Sequence, residues 1–136
     1  MRVDEFELTV TPDRYTTVRY AGASGDFNPI HIDEEFARSV GLPGRILHGL
    51  WTMAQVARAH TEAFGGPESL TELSVQFRGM GVMEQEISVR GTVQTISSLE
   101  SSDDEFALVR SEATQDGKRI VRNGRAGIRV LPGYGD

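Results

Sequence analysis

The sequence predicts an α+β domain in which an antiparallel sheet wraps around one long helix. One uninterrupted helical segment, strongly apolar in its first half, occupies residues 48–64, and a single strand and short helices precede it. Four segments with the two-residue alternation of β-strands follow it, with no helix between them. Strands and helices that come in separate runs along a chain are typical of α+β folds.

The chain before the long helix predicts one strand and two short helices. The strand covers EFELTV, where polar and apolar residues alternate. A helix over residues 11–24 is predicted because Thr11 suits the N-cap and Pro12 suits the first helical position. Asp33 is a second N-cap candidate, for the short helix EEFARSV. The turn-rich segment SGDFNPIHID separates the two helices.

The helix at residues 48–64 is expected to lie in the core. At 1.5 Å per residue it would be roughly 26 Å long. Its first half is apolar on nearly every face, and a helix without a polar stripe is normally buried all round. In a short chain, a wrapped sheet is the economical way to bury it. Polar residues mark the end where we expect it to reach solvent: Arg58, His60, Thr61 and Glu62.

The remaining segments predict four antiparallel strands. TELSVQF alternates Leu73, Val75 and Phe77 with polar residues, and EISVRGTVQTI repeats the pattern. A polar hairpin loop, SSLESSDDE, leads to FALVRSEAT as the third strand. Asp116-Gly117 is a residue pair typical of a two-residue hairpin turn, so we expect KRIVRNGRAGIRVL to form the last strand.

Length and composition limit the classes of protein that the chain can represent. Its 136 residues fit one domain, 1–136. The lack of cysteine excludes disulfides and thiolate chemistry and fits a cytoplasmic protein. We expect neither a signal peptide nor a membrane span, which would need roughly 20 apolar residues. A net charge of −6 argues against a nucleic-acid-binding protein.

Residues 118–129, KRIVRNGRAGIR, depart from this acidic average because they contain cations and no carboxylate. Two interpretations stay open. The cations are either the solvated side of a strand or a surface for a phosphorylated cofactor arm or an acidic carrier protein. The cationic residues are Lys118, Arg119, Arg122, Arg125 and Arg129.

Asp26 and His31 are the first candidates for chemistry. Their spacing excludes a shared helix face, and Pro29 between them excludes a helix interior. Gly25 and Asn28 are residue types that let the chain turn and bring the two together. A carboxylate beside an imidazole suits proton transfer near neutral pH. In the alternative, Asp26 caps a turn and His31 makes a structural hydrogen bond; the residues alone leave both open.

His48-Gly49, at the start of the long helix, is the second candidate. First-turn N–H groups lack intrahelical acceptors and lie at the positive end of the helix dipole, so Gly49 suits a developing oxyanion. Alternatively, Gly49 eases the bend into the helix and His48 packs at its entry. Trp51 and Met53 either bound a substrate pocket or pack in the core. The 3 histidines show no i, i+4 pair, and we expect no metal site.

The segment YAGASGDFNPIHIDEEFARSVGLPGRILHGL, residues 20–50, resembles the signature of the MaoC-like hydratases and dehydratases. That family includes (R)-specific enoyl-CoA hydratases and (3R)-hydroxyacyl-carrier-protein dehydratase subunits. Tyr-Ala, Ser-Gly-Asp, Asn-Pro-Ile-His and the distal His-Gly match in order and spacing. The resemblance implies a hot-dog fold, in which an antiparallel sheet wraps around a long central helix. This agrees with the element order predicted from periodicity.

The resemblance places the family's catalytic aspartate, histidine and oxyanion-binding glycine on Asp26, His31 and Gly49. It implies a hydratase or dehydratase that interconverts 2-enoyl and (3R)-3-hydroxyacyl thioesters of CoA or acyl carrier protein. No metal or redox cofactor is implied, since the CoA or phosphopantetheine is part of the substrate. The family's supporting helix serine has no counterpart in Val56-Ala57-Arg58. The candidate substrate-binding residues are Asn28, His48, Trp51 and Met53.

The resemblance also implies a homodimer, or a heterodimer with a related hot-dog subunit. Two other functions fit the same fold. A non-catalytic, acyl-thioester-binding partner subunit is one, although such a subunit would have no physical need for both Asp26 and His31. A hot-dog thioesterase is the other, and it would hydrolyse the thioester and release free CoA.

Overall fold

The computed structural model describes residues 3–98 and 104–131. Strand β1, Glu5–Val10, comes first. The helices α1 (Thr16–Ser24), α2 (Pro29–Ile32), α3 (Glu34–Ser39) and α4 (Gly49–Ala63) follow. After a short 3₁₀ turn at Pro67–Ser69, the chain continues as β2 (Leu70–Phe77), β3 (Ile87–Ser98), β4 (Glu105–Gln115) and β5 (Lys118–Val130).

The strands form one sheet in the order β1-β3-β4-β5-β2, with every neighbouring pair antiparallel. Helix α4 contacts every strand, so the sheet curves around it. Its buried face packs Val56 and Ala59 against Ile87, Val89 and Val121. The predicted α+β hot-dog architecture is therefore confirmed.

The tight turn between β4 and β5 forms as predicted. Asp116 and Gly117 have φ angles of 52° and 72°, the left-handed values that a two-residue hairpin turn requires. In the predicted polar loop SSLESSDDE, residues 97, 98 and 105 belong to strands. Residues 99–103 lie outside the described ranges.

Helix α1 begins at Thr16, not at Thr11 as predicted. The carbonyl oxygen of Pro12 accepts a hydrogen bond from the Glu84 N–H at 2.6 Å, and this tertiary bond ties the segment to the loop before β3. Asp13 does not sit in a helical turn; its carboxylate accepts from the Tyr15 N–H at 2.8 Å. The long-range backbone bond at Pro12 and the local bond between Asp13 and Tyr15 thus replace the predicted first helical turn.

Helix α4 is not buried all round, and that prediction is wrong for the single chain. Its buried positions, Thr52, Val56, Ala59 and His60, follow the helical repeat along one face. Leu50 is 64% exposed on the other side. One sheet covers only one side of a helix, so the apolar residues of the first turn stay open to a further partner.

His60 is fully buried, although its polarity predicted an emerging helix end. The Phe6 ring of β1 packs edge-on against the imidazole at 5.0 Å between centroids. The His60 Nδ1–H donates to the carbonyl oxygen of Val56 at 2.7 Å, which satisfies one ring nitrogen inside the helix. The Nε2 atom has no partner among the described residues.

We expect His60 to make the stability of the fold depend on pH. Burial lowers the pKa of His60 below its ordinary value of 6.5. Because the unfolded chain binds this proton more readily, the stability is complete above about pH 6.5 and is lost as pH falls toward the folded-state pKa. The free energy of unfolding should therefore decrease as the pH falls below about 6.5. Urea titrations of the wild-type protein and of His60→Met measure this slope. Equal slopes in the two proteins would refute the prediction.

Among the described residues, each helix is too short or too polar to cross a bilayer. The compartment in which the protein works stays a prediction.

Candidate active site

The loop that carries Asp26 and His31 contains a short helix that periodicity did not predict. Helix α2 spans Pro29–Ile32, and Asn28 is its N-cap, with its side-chain oxygen accepting from the Ile30 N–H at 3.2 Å. Asn28 has φ −52° and ψ 126°, near the polyproline II conformation that a following proline favours. The Asn-Pro pair is an N-cap followed by the first helical position, a signal that could have identified this single turn.

Asp26 follows the left-handed residue that ends α1, Gly25, whose φ is 79°. One carboxylate oxygen, Oδ1, accepts from the Asn28 N–H at 3.2 Å and so holds the loop in its turn. The other, Oδ2, faces His31 at 4.0 Å from Nε2. The Asp26 side chain is 54% exposed, so its carboxylate is accessible to a small molecule.

The protonation pattern of His31 follows from its partner. Its Nδ1 lies 2.8 Å from the carbonyl oxygen of Ile46. A carbonyl oxygen can only accept, so Nδ1 carries the proton of the neutral ring and Nε2 is left with a lone pair. At 4.0 Å, Nε2 and the Asp26 carboxylate are too far apart for a direct hydrogen bond. The two groups flank a common position that one water molecule could bridge.

His48 lies on the buried side of Asp26 and His31 and contacts both residues. It is 2% exposed, and its ring stacks on that of His31 at 3.8 Å between centroids. The Nε2–H donates to the backbone oxygen of Asp26 at 3.0 Å. The Tyr20 ring lies 4.7 Å from the His48 ring. The geometry therefore favours a positioning role for His48 over the direct substrate contact predicted from the sequence.

Gly49 is the first residue of α4 and follows directly on His48. Its N–H and that of Leu50 have no acceptor among residues 3–98 and 104–131, whereas the N–H groups of Trp51 and Thr52 donate to the His48 oxygen. The Phe77 ring lies against Gly49, since an added Cβ would approach Phe77 Cε1 to 3.2 Å. The free N–H at the positive end of α4 suits a developing negative charge.

The predicted site residues divide by their placement. Asp26, His31, His48 and Gly49 come together where the loop meets the start of α4. Asn28 caps α2 at the same loop. Trp51 lines a cavity of about 370 Å³ that Tyr20 also lines, and Met53 is half-buried and does not line it.

Asp26, His31 and His48 also form the one cluster in the described residues with the ligand atoms of a metal site, all within 4.8 Å of one another. The two imidazole planes differ by only 22°. A metal binds about 2.0–2.1 Å from a ring nitrogen along a lone pair in the ring plane, so stacked rings direct their lone pairs side by side. The cluster therefore suits acid–base chemistry better than metal binding. The expected lack of a metal cofactor stays a prediction.

The model of a family described as the MaoC like domain matches residues 2–115. This chain belongs to the MaoC-like family. The family predicted from residues 20–50 is thereby confirmed.

Named relatives extend this MaoC-like identification. The peroxisomal hydratase-dehydrogenase-epimerase of Saccharomyces cerevisiae is 41% identical over 76 residues, which are 56% of this chain and 8% of that protein. A solved MaoC-like dehydratase has a TM-score of 0.83 at 28% identity, covering 96% of this chain and 41% of its own. The (R)-hydratase from A. caviae involved in PHA biosynthesis has a TM-score of 0.79 at 20% identity. The match covers 96% of this chain and 98% of the (R)-hydratase chain. The MaoC-like chain thus corresponds to a small part of its curated relative.

Proposed function

We propose that this MaoC-like chain is a hydro-lyase that adds water to 2-enoyl thioesters and removes it from (3R)-3-hydroxyacyl thioesters. One observation carries the proposal. His31 has its Nδ1–H bonded to Ile46 and its unprotonated Nε2 turned toward the Asp26 carboxylate. Two proton acceptors that flank one position can hold and deprotonate a water molecule.

In the hydration direction, the thioester carbonyl oxygen accepts a hydrogen bond from the Gly49 N–H. Asp26 and His31 hold one water, and the pair removes one of its protons while its oxygen bonds to C3 of the double bond. The electron pair of the double bond moves toward the thioester, and the Gly49 N–H stabilises the resulting enolate-like oxygen. The removed proton is then delivered to C2. Dehydration reverses these steps, and the order in which Asp26 and His31 take the proton is left open.

The cavity lined by Trp51 and Tyr20 suits the acyl tail. Its volume is about 370 Å³, its lining is mostly apolar, and Tyr20 connects it to the catalytic residues through the contact with His48. Acyl chains gain free energy when they leave water for an apolar cavity.

A second hot-dog subunit is the proposed partner, either another copy or a related chain. Strands β1 and β2 form the two edges of the sheet, and the backbone groups on their outer sides can pair with a further strand. Leu50 and Phe77, which are 64% and 53% exposed, form an apolar surface beside Gly49 that such a subunit would cover.

Hydration of 2-enoyl-CoA substrates of increasing chain length tests the proposed function. We expect loss of the enoyl absorbance with crotonyl-CoA or a longer substrate, with no added metal, and a (3R)-hydroxyacyl product. Formation of the (3S) product would contradict the proposal. Release of free CoA, measured with a thiol reagent, would indicate a thioesterase instead. Binding of every tested thioester without turnover would indicate a non-catalytic subunit.

A further inference from the structure

We propose that a positively charged groove beside the candidate active site binds the phosphate groups of CoA. The inference rests on the proposed function, because it identifies the carrier of the acyl thioester. The groove, called the basic groove below, has a volume of about 880 Å³. Its cationic lining residues are Arg78, Lys118, Arg119 and Arg122.

The lining of the basic groove is positively charged, although the chain as a whole is negatively charged. The whole chain has a net charge of −6, but Asp116 is the one carboxylate that lines the groove. Within residues 3–98 and 104–131, neither Arg78 nor Lys118 has a carboxylate within 4.0 Å. Clustered cations that outnumber their counter-charges create a positive potential, and such a potential attracts a polyanion.

The other two cations are also available to an anion. Arg122 donates from Nε to the neutral side-chain oxygen of Gln76 at 3.2 Å, which orients the guanidinium without neutralising it. Arg119 lies 3.9 Å from Glu112, too far for a hydrogen bond. Arginine presents planar pairs of donors that match phosphate oxygens, and several such cations side by side suit a ligand that carries several phosphate groups.

The backbone that lines the groove is bonded to the segment that enters α4, because the Leu47 N–H, next to His48, donates to the Gly81 oxygen at 2.8 Å, between the lining residues Met80 and Val82. Phe77, whose ring lies against Gly49, is followed directly by Arg78. The N–H groups of Arg78 and Gly79 both donate to the Ile120 oxygen, at 2.9 and 3.3 Å. The groove and the start of α4 are thus joined through residues 78–82, which follow Phe77.

The wall of the groove is held in place before any ligand binds. The Gln115 side chain donates to the Val82 oxygen and accepts from the Val82 N–H, both at 2.8 Å. It also donates to the Gln85 oxygen at 3.0 Å. These bonds fix the segment between β2 and β3 against β4. A binding site that is already ordered loses less entropy when its ligand binds.

The shape and lining favour CoA over a carrier protein. The volume lies in the range of about 300–1,000 Å³ that is typical of small-molecule sites. Apolar Met80, Val82 and Ile120 line the groove together with the cations. CoA combines a less polar pantetheine arm with a diphosphate and a 3′-phosphate, and a concave surface of mixed character suits that combination. Carrier-protein binding is the competing outcome in the test.

The double variant Arg78→Gln/Lys118→Gln tests the proposal. The KM for crotonyl-CoA should rise about tenfold at low salt, with kcat nearly unchanged, because two exposed charge contacts are lost. Added salt should raise the wild-type KM and reduce the difference between the two proteins. Hydration of crotonyl-N-acetylcysteamine, which has no phosphate, should be equal in both.

The matched control is Arg110→Gln/Arg125→Gln, which removes the same charge from two exposed, cross-strand neighbours outside the groove. It should leave the KM for crotonyl-CoA within about twofold of the wild type, since distant exposed charges are screened. An equal rise in the KM of the control and the groove variant would overturn the proposal. So would an unchanged KM in the groove variant, and this second result would leave the proposed function standing.

Adenosine 3′,5′-bisphosphate separates failure of this proposal from failure of the proposed function. We expect calorimetric binding to the wild-type protein and about tenfold weaker binding to the groove variant. If no thioester is hydrated but this difference holds, the groove proposal survives and the proposed function fails. If the bisphosphate does not bind, while an acyl-carrier-protein thioester is turned over, the assignment to CoA is overturned.

Discussion

Asp26→Asn and His31→Ala are each expected to lower kcat for crotonyl-CoA hydration by at least about 100-fold. Asn keeps a side-chain oxygen that can accept from the Asn28 N–H, so the loop should keep its turn while the carboxylate is lost. The Ala variant removes Nε2, the free lone pair that faces Asp26. Initial rates at saturating substrate, read from the enoyl absorbance, measure both losses.

His31→Asn is the matched control for structural damage in this pair of variants. The Asn amide can replace Nδ1–H as donor to the Ile46 oxygen, yet it offers no base at the position of Nε2. We expect the unfolding temperature of this variant to stay near the wild-type value while its kcat falls as far as that of His31→Ala. Near-normal hydration by Asp26→Asn and His31→Asn would exclude the acid–base mechanism.

Gly49→Pro is expected to lower kcat by about 10²–10³-fold, the usual cost of losing one oxyanion donor. Proline is well tolerated at the first position of a helix, where the N–H makes no intrahelical bond. His48 has φ −66° and ψ 134°, the extended conformation that a residue before proline prefers. The variant therefore removes the donor while retaining the backbone path into α4.

Gly49→Ala is the control for steric effects, because it keeps the N–H. Its Cβ would lie 3.2 Å from Phe77 Cε1, and the half-exposed Phe77 ring can move by the small amount required. We expect this variant to retain kcat within about tenfold, since the oxyanion donor is still present. Circular dichroism and unfolding temperature establish that both variants fold. If the Pro and Ala variants have the same kcat, the Gly49 N–H is not the oxyanion donor.

Local periodicity predicted the fold well because the elements with the clearest patterns dominate it. Strands β2 to β5 and helix α4 came from apolar repeats, and the turn at Asp116-Gly117 came from residue types that tolerate left-handed φ. The predictions were wrong where a long-range contact determines the start of a helix or the burial of a side chain. The Glu84 bond to Pro12 delays the start of α1, and the Phe6 ring covers His60.

The candidate site was predictable in its side chains and not in its backbone atoms. Asp26, His31 and Gly49 were visible as residue types, and the structure brings the first two within 4.0 Å of each other. The Ile46 carbonyl that fixes the ring of His31 has no side-chain signature, because every residue has a carbonyl group. The stacking of His48 on His31 depends on tertiary packing, which the spacing of the two residues does not reveal. Their proposed roles await the variants described above.

Both imidazoles of the site are anchored to main-chain oxygens, those of Ile46 and Asp26. A substitution at position 46 changes the side chain but leaves its carbonyl in place. In a saturation mutagenesis screen, Ile46 would consequently tolerate many replacements of similar volume, although it orients a proposed catalytic group. The orientation of the His31 ring is thus insulated from mutation at position 46, and the chain can accumulate amino-acid changes around the site without turning Nε2 away from Asp26.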